Sequence, residues 1–257
     1  MTQLIRILVL SLLCGTALAQ SNEELKGWLE WVHEVEMRVV ETGVVEEVLV
    51  SAGQHVSQGD LLLRMDQREA QAKLLEAKAR VAWARVEREK AERDLARSEE
   101  LFDRGLIAIE ELKDAELVQV AAAAEEEAAR AAEASSLVAL ERTELRAPFD
   151  GIIVTRRVWN GAVIYKTLQQ DPLIVIAPDD QMLARALVTA STLRRFTPGQ
   201  PARVQIDGNL REGRVYSLGV QAVRVELEGA VYYLDIIFNR RPSERLRPSE
   251  TVRIFVP

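Results

Sequence analysis

The chain has 257 residues, of which 48% are apolar and 28% charged, enough for about two domains with packed cores. Its 33 basic residues stand against 40 acidic ones, a formal charge of −7, which argues against nucleic acid as a principal partner. Its one cysteine, Cys14, excludes a disulfide framework.

Residues 1–19 read as a targeting segment. Arg6 supplies the n-region charge, Ile7 to Cys14 form a short apolar run, and Ala17-Leu18-Ala19 fits a small-residue cleavage site, so cleavage is expected near Gln20. The run is shorter than the ~20 apolar residues that span a bilayer, and a retained membrane anchor is the alternative. Lipid attachment is disfavoured because Leu13, not a small residue, precedes Cys14. Cleavage would remove Cys14 and leave no thiol for catalysis or thiolate metal sites.

Val44 to Val50 is rich in β-branched residues, and Ser51-Ala52-Gly53 and Ser57-Gln58-Gly59 supply turns before Leu61-Leu62-Leu63. Between Gly59 and Pro148 there is one glycine, Gly105, and no proline, in a composition of Ala, Glu, Arg, Lys and Leu that favours long helices. Gly105 splits this stretch into arms over roughly 67–103 and 109–142, which predicts an antiparallel helical hairpin.

The first arm carries Ala70, Leu74, Ala77, Val81, Ala84, Ala91, Leu95, Ser98 and Phe102 at a 4,3 spacing, violated at Arg88. On the second arm Ala115, Val118, Ala122, Ala129, Ala132, Ser136 and Ala139 predict an alanine-rich seam broken at Glu125. The remaining charges, Glu125-Glu126-Glu127 among them, read as solvated helix surface. At ~1.5 Å per residue each arm extends about 55 Å, longer than a small domain is wide, so the expected molecule is elongated.

Beyond the hairpin, Ile152-Ile153-Val154, a turn at Asn160-Gly161 and Leu173 to Ile176 mirror the first strands. Gly43 superposes on Gly151, Gly53 on Gly161 and Val56 on Ile164. An antiparallel hairpin returns the chain to its starting point, so it can separate two halves of one β domain without preventing their pairing. After Pro178, alternating segments at Leu183 to Thr189, Ala202 to Ile206, Gly213 to Val225, Val231 to Phe238 and Thr251 to Val256 predict a small antiparallel barrel or sandwich. Turn signals at Pro198-Gly199, Asp207-Gly208 and Glu228-Gly229 separate the strands, and Ala190 to Phe196 is a possible short helix.

These residues resemble the periplasmic adaptor family, or membrane fusion proteins, of the resistance-nodulation-division and haemolysin-secretion types. The most specific element is Leu145-Arg146-Ala147-Pro148-Phe149-Asp150-Gly151. Gly43 to Asp66, Pro198-Gly199-Gln200-Pro201-Ala202 and Leu246-Arg247-Pro248 add to it, although Ser249-Glu250 stands where the family commonly has Gly-Met. The resemblance implies an α+β multidomain fold: a split lipoyl-like β-sandwich (20–66 and 145–178) carrying an inserted α-helical hairpin (67–144), then a β-barrel (179–257). It also implies an inner-membrane exporter, driven by protons or ATP, an outer-membrane duct and a homo-oligomer as partners, in the periplasm. Longer adaptors continue beyond the barrel, so in a chain ending at Pro257 exporter contact is expected from the barrel or the lipoyl-like part.

At the hairpin tip the family's duct-docking pattern is matched by Arg97 and Leu101, while Ala108 stands where a serine is usual. Gly105, Leu106 and Ile107 complete the implied docking end.

Three other function classes fit less well. A swinging-arm carrier needs a lysine at the junction Arg64-Met65-Asp66-Gln67-Arg68, which has none. His33 and His55, the only histidines, lie outside any catalytic or metal-ligand pattern, and no phosphate-cradling loop is present, so no enzyme activity, cofactor or metal is expected. A free-standing coiled-coil scaffold explains the helices and leaves the split β domain unexplained. Trp28, Trp31, Trp83 and Trp159 are expected to be packing residues.

Overall fold

The computed structural model describes residues 23–165, 167, 171–226, 229–241 and 244–256. The targeting segment with Cys14, the cleavage position, Glu228 of the expected turn and Pro257 lie outside them. The first elements are β1 (Glu23–Trp31), β2 (Val35–Met37), β3 (Gly43–Val48), β4 (His55–Val56) and β5 (Leu61–Met65), then α1 (Arg68–Asp103) and α2 (Ile109–Glu141). They are followed by β6 (Glu144–Arg146), β7 (Gly151–Arg156), β8 (Val163–Ile164), β9 (Ile174–Pro178), β10 (Gln181–Thr189) and α3 (Ala190–Leu193). The chain closes with β11 (Pro201–Ile206), β12 (Asn209–Leu218), β13 (Arg224–Glu226), β14 (Gly229–Asn239) and β15 (Thr251–Val256). Two compact units result, one of Val32–Asp180 and one holding β1 with the chain from Gln181 onward.

In the Val32–Asp180 unit, two four-stranded sheets, ordered β2-β9-β7-β4 and β6-β5-β3-β8, enclose a core of Val45, Leu62, Leu63, Ile153, Ile174 and Ile176. Each sheet takes strands from both sides of the hairpin, as the mirrored segments require. Gly43 pairs with Ile164 and Val44 with Val163; correspondingly Gly151 pairs with Val56 and Ile152 with His55. The turn contacts repeat the same exchange. Gly53 N–H donates to Ile153 C=O at 2.7 Å, and Gly161 N–H donates to Val45 C=O at 2.8 Å. Both glycines hold φ of +83°, a left-handed conformation in which a Cβ is strained. The halves are therefore related by a local two-fold and interlock, neither sheet being complete without the other half.

The motif after α2 fastens the second half to the first. The Asp150 carboxylate accepts from Gln58 N–H at 2.7 Å, and Ala147 exchanges backbone bonds with Gly59 and Asp60 at 2.8 and 2.9 Å. Phe149 lies edge-on to His33, with ring centroids 5.5 Å apart.

The second unit is a six-stranded barrel ordered β10-β1-β15-β11-β12-β14 and closed by β10 pairing with β14, with β13 beside β14. Leu29, Met182, Val204, Leu234, Ile236 and Ile254 fill it. Residues 23–31, expected in the lipoyl-like half, instead form β1 between β10 and β15. Their alternation of Leu25, Gly27, Leu29 and Trp31 suits any half-buried strand, and the strands after Gln181 leave one ladder to fill. The expected segment Gly213 to Val225 is broken after Leu218, because the chain turns at Gly219 to start β13.

Candidate functional site

The hairpin begins and ends at a polar clamp. Gln67 Nε2 donates to Thr143 Oγ1 at 2.9 Å and to Glu144 Oε1 at 3.1 Å, binding the feet of the two helices together. Asp66 accepts from the Arg68 backbone N–H at 3.1 Å and from its guanidinium; those bonds hold its carboxyl at about 2. The junction that carries a lysine in swinging-arm domains is here a helix start.

Along the arms, α1 buries Leu74, Ala77, Ala84 and Ala91. Its inward positions continue at a strict 4,3 step through Val81, Arg88 and Leu95. The inward positions of α2 are Leu112, Ala115, Gln119, Ala122, Glu126, Ala129, Glu133, Ser136 and Leu140, also at an unbroken 4,3 step. Val118, 59% exposed, and Ala132 lie outside it, contrary to expectation. Glu126 is no part of a solvated face either, being 3% exposed.

The charged residue inside the α1 seam, Arg88, meets the buried Glu126 of α2. The Arg88 guanidinium donates to one oxygen of Glu126 and Arg130 to the other, at 2.5 Å for the latter, while Arg88 also reaches Glu92 at 2.6 Å. Arg80 bonds Glu125 across the helices at 2.7 Å. Burial opposes ionisation of Glu126, but the guanidiniums of Arg88 and Arg130 outweigh it and hold the carboxyl below the ordinary glutamate range. In a seam made mostly of alanine methyls, which slide past one another at little cost, one paired charge sets which turn faces which.

At the far end, α1 stops in a Schellman turn. Gly105, at φ +73°, donates to Phe102 C=O at 2.8 Å, and Leu106 N–H donates to Leu101 C=O at 2.9 Å. Ala108 then takes the N-cap position of α2 in extended conformation, with no side-chain cap. The usual serine would supply the missing acceptor there.

Of the sequence-identified tip residues, Gly105, Leu106, Ile107 and Ala108 lie together in this turn. Arg97 is lower on α1, exposed and 3.6 Å from Asp94, and Leu101 is half-buried. Leu106 is 65% exposed, and Phe102 and Ile109 are exposed beside it. Phe102, expected in the seam from its spacing, is instead exposed at the last turn of α1, beside the turn that precedes α2.

Elsewhere, His55 stands on β4 with its Nδ1 in hydrogen-bond contact with the Asp179 carboxylate, while Trp28 is edge-on to Tyr233 and Trp31 packs against the barrel core. Trp83 and Trp159 are 59% and 60% exposed and are not packing residues within the chain. Among the described residues no cluster of His, Cys, Asp or Glu could hold a metal ion, and no helix is long and apolar enough to cross a membrane.

The chain is 24% identical over 205 residues to the macrolide export protein MacA of Yersinia pestis, covering 74% of this chain and 55% of that protein. It is 29% identical over 203 residues to the cobalt-zinc-cadmium resistance protein CzcB of Cupriavidus metallidurans, covering 74% of this chain and 36% of that one. It thus spans about half or less of the length of these relatives. The structure of the membrane fusion protein Spr0693 from Streptococcus pneumoniae superposes with a TM-score of 0.67 at 19% identity, over 91% of this chain and 98% of that one, which establishes the fold. The model of the CzcB-like, barrel-sandwich hybrid domain matches residues 33–172, the span of the interlocked halves and their hairpin. The chain belongs to the membrane fusion proteins that carry this domain.

Proposed function

We propose that the chain is a periplasmic adaptor subunit that links an inner-membrane exporter to an outer-membrane duct in a tripartite efflux or secretion system. It carries out no chemistry of its own. The observation that carries this reading is an apolar tip, Phe102, Leu106 and Ile109, raised at the end of α1, whose 36 residues extend about 54 Å at ~1.5 Å per residue. Relatives whose names record macrolide export and metal resistance support an efflux role. The tip, from Arg97 and Leu101 to Ala108, docks on the duct; the β units face the exporter, and neighbouring copies assemble side by side. The exporter is driven by protons or by ATP. The chain reaches the periplasm by a cleaved signal segment and is held at the inner membrane through the exporter.

Leu106→Asp tests the tip. Leu106 suits this better than half-buried Leu101, whose replacement by a charge would also disturb the helix end. Export measured as efflux of the transported compound should fall to the level of a strain lacking the adaptor, with secretion and helicity unchanged. Undiminished export by Leu106→Asp rules out tip docking. Tip crosslinking that captures only further copies of the chain would instead support a free-standing scaffold.

A further inference from the structure

Asn160 is the one asparagine of the chain that is followed by glycine. The pair forms the turn before β8, in which Ala162 N–H donates to Trp159 C=O at 3.1 Å, and both residues are exposed. Gly161, at φ +83°, fits the third position of a type II turn. By the local two-fold that sets Gly53 on Gly161, the matching residue of the first half is Ala52, so only the second half carries an amide at this point.

An asparagine before a glycine is chemically reactive, because no Cβ on the next residue shields its backbone nitrogen from the side-chain Cγ. The nitrogen of Gly161 gives up its proton to water, bonds to Asn160 Cγ and expels the side-chain amide as ammonia. Water then opens the resulting cyclic imide. Hydrolysis at Cγ leaves aspartate. Hydrolysis at the main-chain carbonyl leaves isoaspartate, whose backbone runs through Cγ and is longer by a methylene.

In the closed sandwich both reacting groups are tied to the other half. Asn160 Oδ1 accepts from Val48 N–H at 2.9 Å, and Gly161 N–H donates to Val45 C=O at 2.8 Å. The proton that cyclisation must remove is the one that the interlock holds. We infer that Asn160-Gly161 is a self-modification site gated by closure of the two halves, silent while β3 lies against β8 and converted when the halves stand apart. Isoaspartate does not fit on reclosure. Its added methylene carries the Gly161 N–H away from Val45 and shifts the ladder that begins just beyond, where Val163 pairs with Val44 and Ile164 with Gly43. Aspartate keeps an oxygen for Val48 N–H and closes again. A chain left open is thus marked irreversibly, whatever partner its hairpin meets.

The test incubates the full chain at mildly alkaline pH, folded and in denaturing urea, and follows Asn160 by peptide mass and isoaspartate content. Asn209, exposed and followed by Leu210, is the internal control. Conversion at Asn160 should be at least about tenfold slower in the folded chain than in urea. At urea concentrations below the unfolding transition, its rate should rise in step with amide exchange of Gly161, which removes the same proton. Ile153→Ala, which empties part of the sandwich core, should speed conversion by about tenfold or more. Equal rates in the folded and unfolded chain, or a rate that does not follow Gly161 exchange, overturns the gating. On removal of urea, unconverted chains and the Asn160→Asp variant should regain protection of Val45 N–H, which donates to Ala162 C=O at 2.8 Å, and isoaspartate chains should not. Recovery by the isoaspartate chains overturns the irreversible mark.

Discussion

The sandwich and the hairpin inserted into it hold together by opposite means. The sandwich buries Leu62, Leu63, Ile153, Ile174 and Ile176 completely and specifies its pairing through side-chain volume and interlocked ladders. The hairpin buries mainly alanines and fixes its register with a charged pair, Arg88 and Glu126. Where shape is abundant the fold needs no polar pair, and where it is scarce a buried ion pair supplies specificity. The two regions should accordingly fail in different ways.

The largest effect is expected in the sandwich. Ile153→Ala should cost about 2–5 kcal/mol in chemical denaturation, the range for emptying a filled aliphatic site. A loss below about 1 kcal/mol would mean that the core is not as closed as its burial indicates.

In the seam, Glu126→Ala leaves Arg88 facing a void without its carboxylate, and helicity should melt at lower temperature by circular dichroism. The paired change Arg88→Leu with Glu126→Leu should restore or exceed the original melting temperature while losing the fixed register. If the double variant melts no higher than Glu126→Ala, the charges contribute more than register. The pH dependence has a definite sign. Glu126 has a folded pKa below its unfolded value, so its stabilisation is complete above the ordinary glutamate value of 4.5 and is lost as pH falls through the lowered one. Acid melting of the hairpin should lose this component in the Leu–Leu variant.

Smaller effects sharpen the contrast at two departures from the family pattern. Ala108→Ser supplies the absent N-cap acceptor and should stabilise the start of α2 by about 1 kcal/mol, seen as slower amide exchange over the first turn. Unchanged exchange would show that the tip turn already satisfies those N–H groups. Ser249 holds φ of +69°, so Ser249→Gly should relieve left-handed strain and gain about 0.5 kcal/mol in the barrel, offset partly by the freer unfolded chain. A loss of stability would mean that the strain is smaller than that entropy.

Much of this was legible in the sequence because glycine, β-branched runs and a 3.5-residue period carry local physics. Gly105 marked the hairpin turn, and the equivalence of Gly43 with Gly151 marked the interlocking halves. Alternation in 23–31 announced a strand but not its sheet, since a period of two is indifferent to the partner. On α2, alanine occupies nearly every face, so Val118 and Ala132 gave an apparent period as good as the real one through Gln119, Glu126 and Glu133. The decisive clue is the polar residue inside each arm: Arg88 breaks the apolar pattern on α1, and Glu126 on α2 cannot be told by composition from its neighbours Glu125 and Glu127. The exposed tip residues Phe102 and Ile109 differed from seam residues only in lying past the partner helix.

The clamp between Gln67 and Thr143 has a further consequence for how the polypeptide acquires its shape. The strands on either side of it are remote in sequence, and joining them through a floppy tether would be slow and entropically costly. Once the arms have zipped from Gly105 downward, their feet already stand together. The remaining search is that of a connection a few residues long, so the long insertion brings its own shortcut to β-sheet closure.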